Sequence, residues 1–258
     1  MRSFRVLDPT LSNQMSRNVC ALAVMTKAPQ AGKVKTRLVP PLTPEEAAEL
    51  NKCFLRDTAA AISLSCSGTA FGGRRPPLQC AARIAVYTPV GAESAYTNIL
   101  PADFSLLPQR GDGFGERLYF ATEDLFKCGF ESVCLIDSDS PTVSAANFER
   151  AVELLASPND RIVLGPSDDG GYYLIGLKRP HREMFEKIDW STERVLNQTI
   201  ERATGIGLEV KLLPTGYDVD DGESLRRLSD ELLSQSAADT VAPNTREFLA
   251  SLVGQKKL

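Results

Sequence analysis

Short apolar runs recur along the chain, separated by stretches of helical periodicity. VCALAVM (19–25), RIAVYT (83–88), SVCLID (132–137), RIVLGP (161–166), YYLIGL (172–177) and LEVKLL (208–213) read as strands. Between the first two runs a helix is predicted over Pro44–Ser65. Thr43 can cap it, Pro44 suits the first helical position, and Glu46 completes a Thr-x-x-Glu capping box. Further helices are predicted over Gly115–Lys127, Ala145–Leu155, Thr192–Arg202 and Glu223–Leu233, the last with Leu225, Leu228, Leu232 and Leu233 on one face. Strands alternating with helices predict a layered α/β fold. The breaker-rich segment Gly68–Gln79 reads as a surface loop joining the first helix to the second strand.

Composition narrows this picture. A chain of 258 residues that is 43% hydrophobic can bury a substantial core, and residues 18–258 are read as one domain behind an N-terminal tail, residues 1–17, without fixed structure. A net charge of -4, from 29 basic and 33 acidic residues, argues against a surface built for nucleic acid. The six cysteines show no CxxC spacing, and Cys20 and Cys134 lie inside apolar runs as small buried hydrophobes do, so a reducing cytoplasm fits. The single histidine, His181, lies in a polar stretch, which leaves little material for Ser-His-Asp chemistry or for histidine-bound metal. Any metal is then held by oxygen. No apolar run has the length of a membrane span.

In doubly wound sheets ligands gather beyond the carboxyl ends of the strands, so the residues that follow each run carry the candidate chemistry. After the first run, MTKAPQAGKVKTRL gathers Lys27, Lys33, Lys35 and Arg37. Its Gly32-Lys33 pair is not a Walker loop, because Val34 follows Lys33 and Lys27 stands where that loop needs glycine. Four cations at a strand end can still neutralise a diphosphate through charge-assisted bonds, and a solvated loop is the plain alternative. SVCLID leads into Asp137-Ser138-Asp139-Ser140-Pro141, a spacing that suits Mg²⁺ or Mn²⁺ held by one or two carboxylates plus substrate phosphates, or simply a capped turn. RIVLGP leads into Ser167-Asp168-Asp169-Gly170-Gly171. There the glycines permit positive φ and close backbone approach to a ligand and Asp168 or Asp169 can act as a base, with a tight hairpin as the alternative. In YDVDDG, Asp221 can cap the helix that follows, leaving Asp220 as a second oxygen ligand beside Asp139. The glycine-rich stretch from Gln109 through Gly111 to Arg117 enters a helix, where amides can meet a base, ribose or phosphate. Trp190 precedes another helix entrance, as a packing staple or a platform for a sugar ring.

Taken in order, KAPQAGKVKTRL, LIDSDSP, GPSDDGGYYLIGL, IDWST and YDVDDGESL resemble a family of small bacterial glycosyltransferase-like proteins of the GT-A, or nucleotide-diphospho-sugar transferase, fold. Some members are named arsenosugar-biosynthesis or radical-SAM/selenodomain-associated transferases, and the match spans about residues 19 to 233. The resemblance implies a three-layer α/β/α fold with a mostly parallel central sheet and a metal-dependent transferase using a nucleotide diphosphate-sugar and a small-molecule acceptor. It implies Mg²⁺ or Mn²⁺ held by Asp139 and Asp220, and nucleotide contacts from Lys27, Lys33, Lys35, Arg37, Gln109, Gly111, Arg117 and Asp137. Asp169 is then the catalytic base, with Gly170, Gly171 and Trp190 around the acceptor and sugar. The same superfamily includes phospholactate guanylyltransferase, whose cationic loop ending in Lys-Ser/Thr-Arg-Leu looks like Lys27–Leu38. Its later R-D-G-G-T-N motif is matched only through Asp169-Gly170-Gly171, since Tyr172-Tyr173 follow. Nucleotidyl transfer with release of pyrophosphate is therefore the alternative reaction, and a non-catalytic nucleotide-binding domain a third reading.

Overall fold

The computed structural model describes residues 4–11, 19–66, 80–234, 238 and 240–254. Eight strands form one sheet: β1 (Arg5–Val6), β2 (Val19–Lys27), β3 (Cys80–Thr88), β4 (Ser105–Pro108), β5 (Ser132–Ile136), β6 (Arg161–Pro166), β7 (Tyr172–Leu177) and β8 (Glu209–Leu212). Their spatial order is β1-β4-β3-β2-β5-β7-β6-β8. Only β7 runs against its neighbours, β5 and β6; the other pairs are parallel, as a mostly parallel sheet requires.

Helices α1 (Pro44–Cys66), α2 (Phe114–Lys127), α3 (Ala145–Leu155), α4 (Val195–Gly205), α5 (Gly222–Leu233) and α6 (Pro243–Gly254) complete the described elements. Side chains alternate across the pleat of β2. Cys20, Leu22 and Val24 face one core with Leu55 and Ile62 of α1 and Phe148 of α3, while Ala21 and Ala23 face another with Leu118 and Leu125 of α2 and Ala203 of α4. Covering on both faces explains why these strands read as near-continuous apolar runs. A third cluster lies beside the sheet, where Leu38 and Leu42 pack with Phe54 of α1, Leu225 and Leu228 of α5, and Leu249 of α6. Because Leu38 is wholly buried there, the loop that carries the four cations is anchored at its far end.

Local signals set several boundaries. Thr43 accepts from Glu46 N at 3.2 Å and its own N–H donates to Glu46 Oε2 at 2.8 Å, so the capping box forms as its residues dictate. Asp221 caps α5 by accepting from Glu223 N and Ser224 N. Three elements had no strand or helix assigned from the sequence: β1, β4 and α6. The tail expected over residues 1–17 is structured in part, since Arg5–Val6 pair in parallel with Ser105–Leu106 and Leu7 is 1% exposed. The remainder of that tail, and the loop Gly68–Gln79, lie outside the described residues. Helix α4 begins at Val195 rather than Thr192, a turn beyond Ser191, which takes a positive φ of 64°. Among the described residues no helix is long and apolar enough to cross a membrane.

Candidate active site

A cleft of about 560 Å³ opens beyond the carboxyl ends of β2, β5 and β6 and the start of β7. One side is acidic, with Asp137, Asp139, Asp169, Asp218 and Asp220; the other is apolar, with Met25, Leu118, Ile175, Trp190 and Phe114. Of the residues singled out in the sequence, Arg37, Asp137, Asp139, Asp169, Gly171, Trp190 and Asp220 line it.

Lys35 does not reach into the cleft as a free cation. It stands in left-handed backbone geometry, φ 48°, just before the turn that ends in buried Leu38. Its side chain is 5% exposed, and its Nζ lies 2.9 Å from Asp139 Oδ1, 2.9 Å from Asp220 Oδ1 and 2.7 Å from the carbonyl of Val219. An ammonium has three N–H donors, and these three oxygen partners match them in number. Burial by itself would lower the Lys35 pKa, but Asp139 and Asp220 outweigh it through charge and hydrogen bonding and hold it above its ordinary value. The phosphate contact expected of Lys35 is therefore replaced by a bridge between the two expected metal ligands. Each of those carboxylates keeps its second oxygen outside the bridge, and Arg37 lies 3.9 Å from Asp220 Oδ2. Among the described residues no group of three or more His, Cys, Asp or Glu is arranged around a metal position. Two carboxylates converging on one cationic position nonetheless match the donor set of a hard divalent ion that takes its remaining oxygens from substrate phosphates. The Lys35 ammonium occupies that position.

Asp137 lies deeper. Ser140 Oγ donates to it at 2.7 Å, and burial followed by the charge of Asp139 pushes its pKa well above the usual carboxylate value. Asp218 accepts from Ser167 Oγ at 3.1 Å and is likewise raised, by burial and then by Asp169 and Asp220. The sequence reading passed over Asp218, although a signal was there. In Asp218-Val219-Asp220 extended backbone turns alternate residues to one side, so Val219 is wholly buried while both carboxylates line the cleft.

The β6–β7 connection is the tight hairpin that was the alternative reading, and it also delivers a carboxylate. Gly170 N donates to Ser167 O at 3.2 Å and Ser167 N to Gly171 O at 3.1 Å. Asp168 turns away to pair with Arg227 of α5, whose guanidinium lies 3.8 Å from the centre of the Tyr217 ring. Asp169 faces the cleft, its Oδ1 accepting from Gly171 N at 2.8 Å. Gly170 serves packing against the chain itself: at φ 90°, an added Cβ would lie 2.2 Å from Glu193 O.

Lys27 and Lys33 are exposed, outside the cleft lining, and make no ion pair among the described residues. Of the glycine-rich stretch only Phe114 lines it; Gln109, Gly111 and Arg117 lie outside. Gln109 Nε2 donates to Val86 O at 2.8 Å and Thr26 O at 3.2 Å, tying strand ends together. Arg117 donates to the carbonyls of Gly111 and Asp112, bracing its own loop. Gly111, at φ 105°, leaves room for Glu116 and Phe120, so this positive-φ glycine is also explained by packing. Trp190 both packs and lines. It meets Phe114 edge to face at 5.0 Å, and Gly115 is bare where a Cβ would strike the Trp190 indole nitrogen at 2.6 Å.

The fold and the position of the cleft are those of the GT-A, or nucleotide-diphospho-sugar transferase, class, in which ligands sit at the carboxyl ends of the strands. The chain thereby has a GT-A fold. It is similar to a protein from Desulfovibrio desulfuricans G20 that carries the provisional name nucleotide-diphospho-sugar transferase. The two are 27% identical, with a TM-score of 0.75 over 93% of this chain and 96% of that one. A nucleotidyl transferase from Methanothermobacter shares the fold at 14% identity and a TM-score of 0.52, over 83% of this chain and 97% of that one. A family model described as an uncharacterized protein conserved in bacteria (DUF2064) matches residues 75–192, which takes in Asp137, Asp139, Asp169 and Trp190 but neither the cationic loop nor Asp220. No curated protein matches the sequence.

Proposed function

We propose that the chain transfers a glycosyl group from a nucleotide diphosphate-sugar to a small-molecule acceptor, with Mg²⁺ or Mn²⁺ held by Asp139 and Asp220. One observation carries the reading: Asp139 and Asp220, far apart in sequence, converge on a single cationic position at the wall of a cleft that also presents Asp169. An acidic cleft repels a free diphosphate, so an anionic donor needs a cation between itself and this wall. When bound, that cation supplies charge neutralisation for the departing diphosphate. Arg37, at the cleft, adds a cation on the same side, and the exposed Lys27 and Lys33 extend the positive charge along the approach. Trp190 and Phe114 offer an aromatic wall for a sugar or base face. In the reaction an acceptor hydroxyl forms a bond to the anomeric carbon, the bond from that carbon to the diphosphate oxygen breaks, and Asp169 takes the hydroxyl proton.

Calorimetric titration with a panel of nucleoside diphosphates and their sugars, with and without Mn²⁺, tests this. Binding is expected only with the metal. Asp139→Asn is expected to weaken it about tenfold or more and remove the metal requirement. Asp169→Asn is expected to leave binding in place and lower turnover roughly 10²- to 10⁴-fold. Absence of binding by any nucleotide in the presence of Mn²⁺ overturns the reading; pyrophosphate release from a nucleoside triphosphate redirects it to nucleotidyl transfer.

A further inference from the structure

Lys35 is the feature that the proposed chemistry does not absorb. It is a lysine in the cation-rich loop, yet its ammonium lies under the cleft wall, bonded to both carboxylates that the reading assigns to the metal. The Phe54 ring lies 5.5 Å from it, and its third donor goes to the Val219 carbonyl. Backbone geometry fixes the arrangement, because Val219 N donates to Asp139 O at 3.0 Å and so holds the two acidic segments side by side. The two carboxylates therefore face each other across a permanent positive charge, and the trio carries one net negative charge rather than two.

We infer that Lys35 is a resident competitor for the divalent cation. It keeps the affinity of Asp139 and Asp220 for free metal low, so that metal enters together with the anionic donor. This rests on the reading that Asp139 and Asp220 are the metal ligands. A fixed ammonium opposes a second cation at the same carboxylates. A diphosphate overcomes that opposition by adding oxygen ligands and negative charge. A purely structural clamp makes the contrary expectation: removing it would let the carboxylates drift apart and weaken metal binding.

Manganese alone, titrated into the full chain without nucleotide and followed by the loss of the free-Mn²⁺ paramagnetic resonance signal, separates the two. Wild-type protein is expected to bind Mn²⁺ weakly, at roughly 10⁻⁴ to 10⁻³ M. Lys35→Met, which keeps an unbranched apolar stem over Phe54, is expected to bind it roughly tenfold more tightly, the scale on which groups next to metal ligands act. Lys35→Arg keeps the charge and is expected to stay near wild type. Folding of each variant is checked by circular dichroism. Micromolar binding by wild type overturns the inference, as does a folded Lys35→Met variant that binds Mn²⁺ no better than wild type. If Lys35→Met is unfolded without metal, recovery of its fold by Mn²⁺ supports the inference and failure to recover overturns it. Failure of Asp139 as a metal ligand is seen separately in the nucleotide titrations, where Asp139→Asn would then leave the Mn²⁺ requirement in place.

Discussion

A Cβ added at residue 170 would lie 2.2 Å from Glu193 O and 2.6 Å from Glu193 Cα, and the backbone there holds φ at 90°. Both facts make Gly170→Ala costly, since the neighbour is backbone that packs against the hairpin rather than a side chain that can swing aside. The substitution is expected to destabilise the fold by about 2–4 kcal/mol, combining positive-φ strain with overpacking. Urea denaturation checks it, with Gly205→Ala as the control, because a Cβ at that helical glycine meets nothing within 4 Å. The paired glycines were legible in the sequence as a place of close approach, and at Gly170 the approaching body is the chain's own Glu193. Lys35 presents the same limit. Its residue type announced a cation beside a strand end, whereas its partners, Asp139 and Asp220, are set by where distant segments fall. Asp139 and Asp169, by contrast, lie just beyond the buried strands β5 and β6, so a carboxylate at the cleft mouth could be read from position, although position left Asp168 and Asp169 as alternatives.

Helix α6 shows why some elements escaped the sequence. The residue before Pro243 is Ala242, in positive φ, so no Ser, Thr, Asp or Asn caps the helix locally. The cap comes from α1. Asp57, 4% exposed, accepts from Asn244 N at 3.0 Å and Thr245 N at 2.9 Å, and from Asn244 Nδ2 and Thr245 Oγ1 at 2.7 and 2.6 Å. A carboxylate at a helix N-terminus also meets the positive end of its dipole. Asp57→Ala strips four donors at once and is expected to cost about 2–4 kcal/mol. Asp57→Asn, which retains one acceptor, should cost less. Hydrogen exchange across residues 243–254 should quicken in both variants ahead of global unfolding, and unchanged protection there would refute the tie. The other two missed elements lack a pattern rather than a cap: β1 has two residues, too few for alternation to register, and in β4, Ser105-Leu106-Leu107-Pro108, the two apolar residues are adjacent and do not alternate. Most of the legible strands are buried on both faces, β2, β5 and β6 among them, whereas the half-exposed β8 was legible from the alternation in Leu-Glu-Val-Lys-Leu.

Across the whole molecule, charge sets the terms on which this cleft accepts a ligand. The chain carries a net charge of -4, and five aspartates line the cleft against Arg37 there and Lys35 behind it. A nucleotide diphosphate alone brings more negative charge to that surface, and a divalent cation alone meets Lys35 already seated between two carboxylates. On the proposed reading each relieves the obstacle to the other. Because the lining is drawn from positions as far apart as Met25 and Asp220, a ligand bound there stabilises the fold as a whole. At a hundred times its dissociation constant a ligand adds about 2.7 kcal/mol. For a chain of this size each kcal/mol raises the melting temperature by about 2–4 °C. Nucleotide diphosphate with Mn²⁺ is therefore expected to raise the thermal midpoint by roughly 5–10 °C, and either component alone by far less. Thermal scans with and without a chelator check this. A full shift from nucleotide in the presence of chelator would mean that the side chains grip the diphosphate without metal, and would return the burden of phosphate binding to Lys27, Lys33 and Arg37.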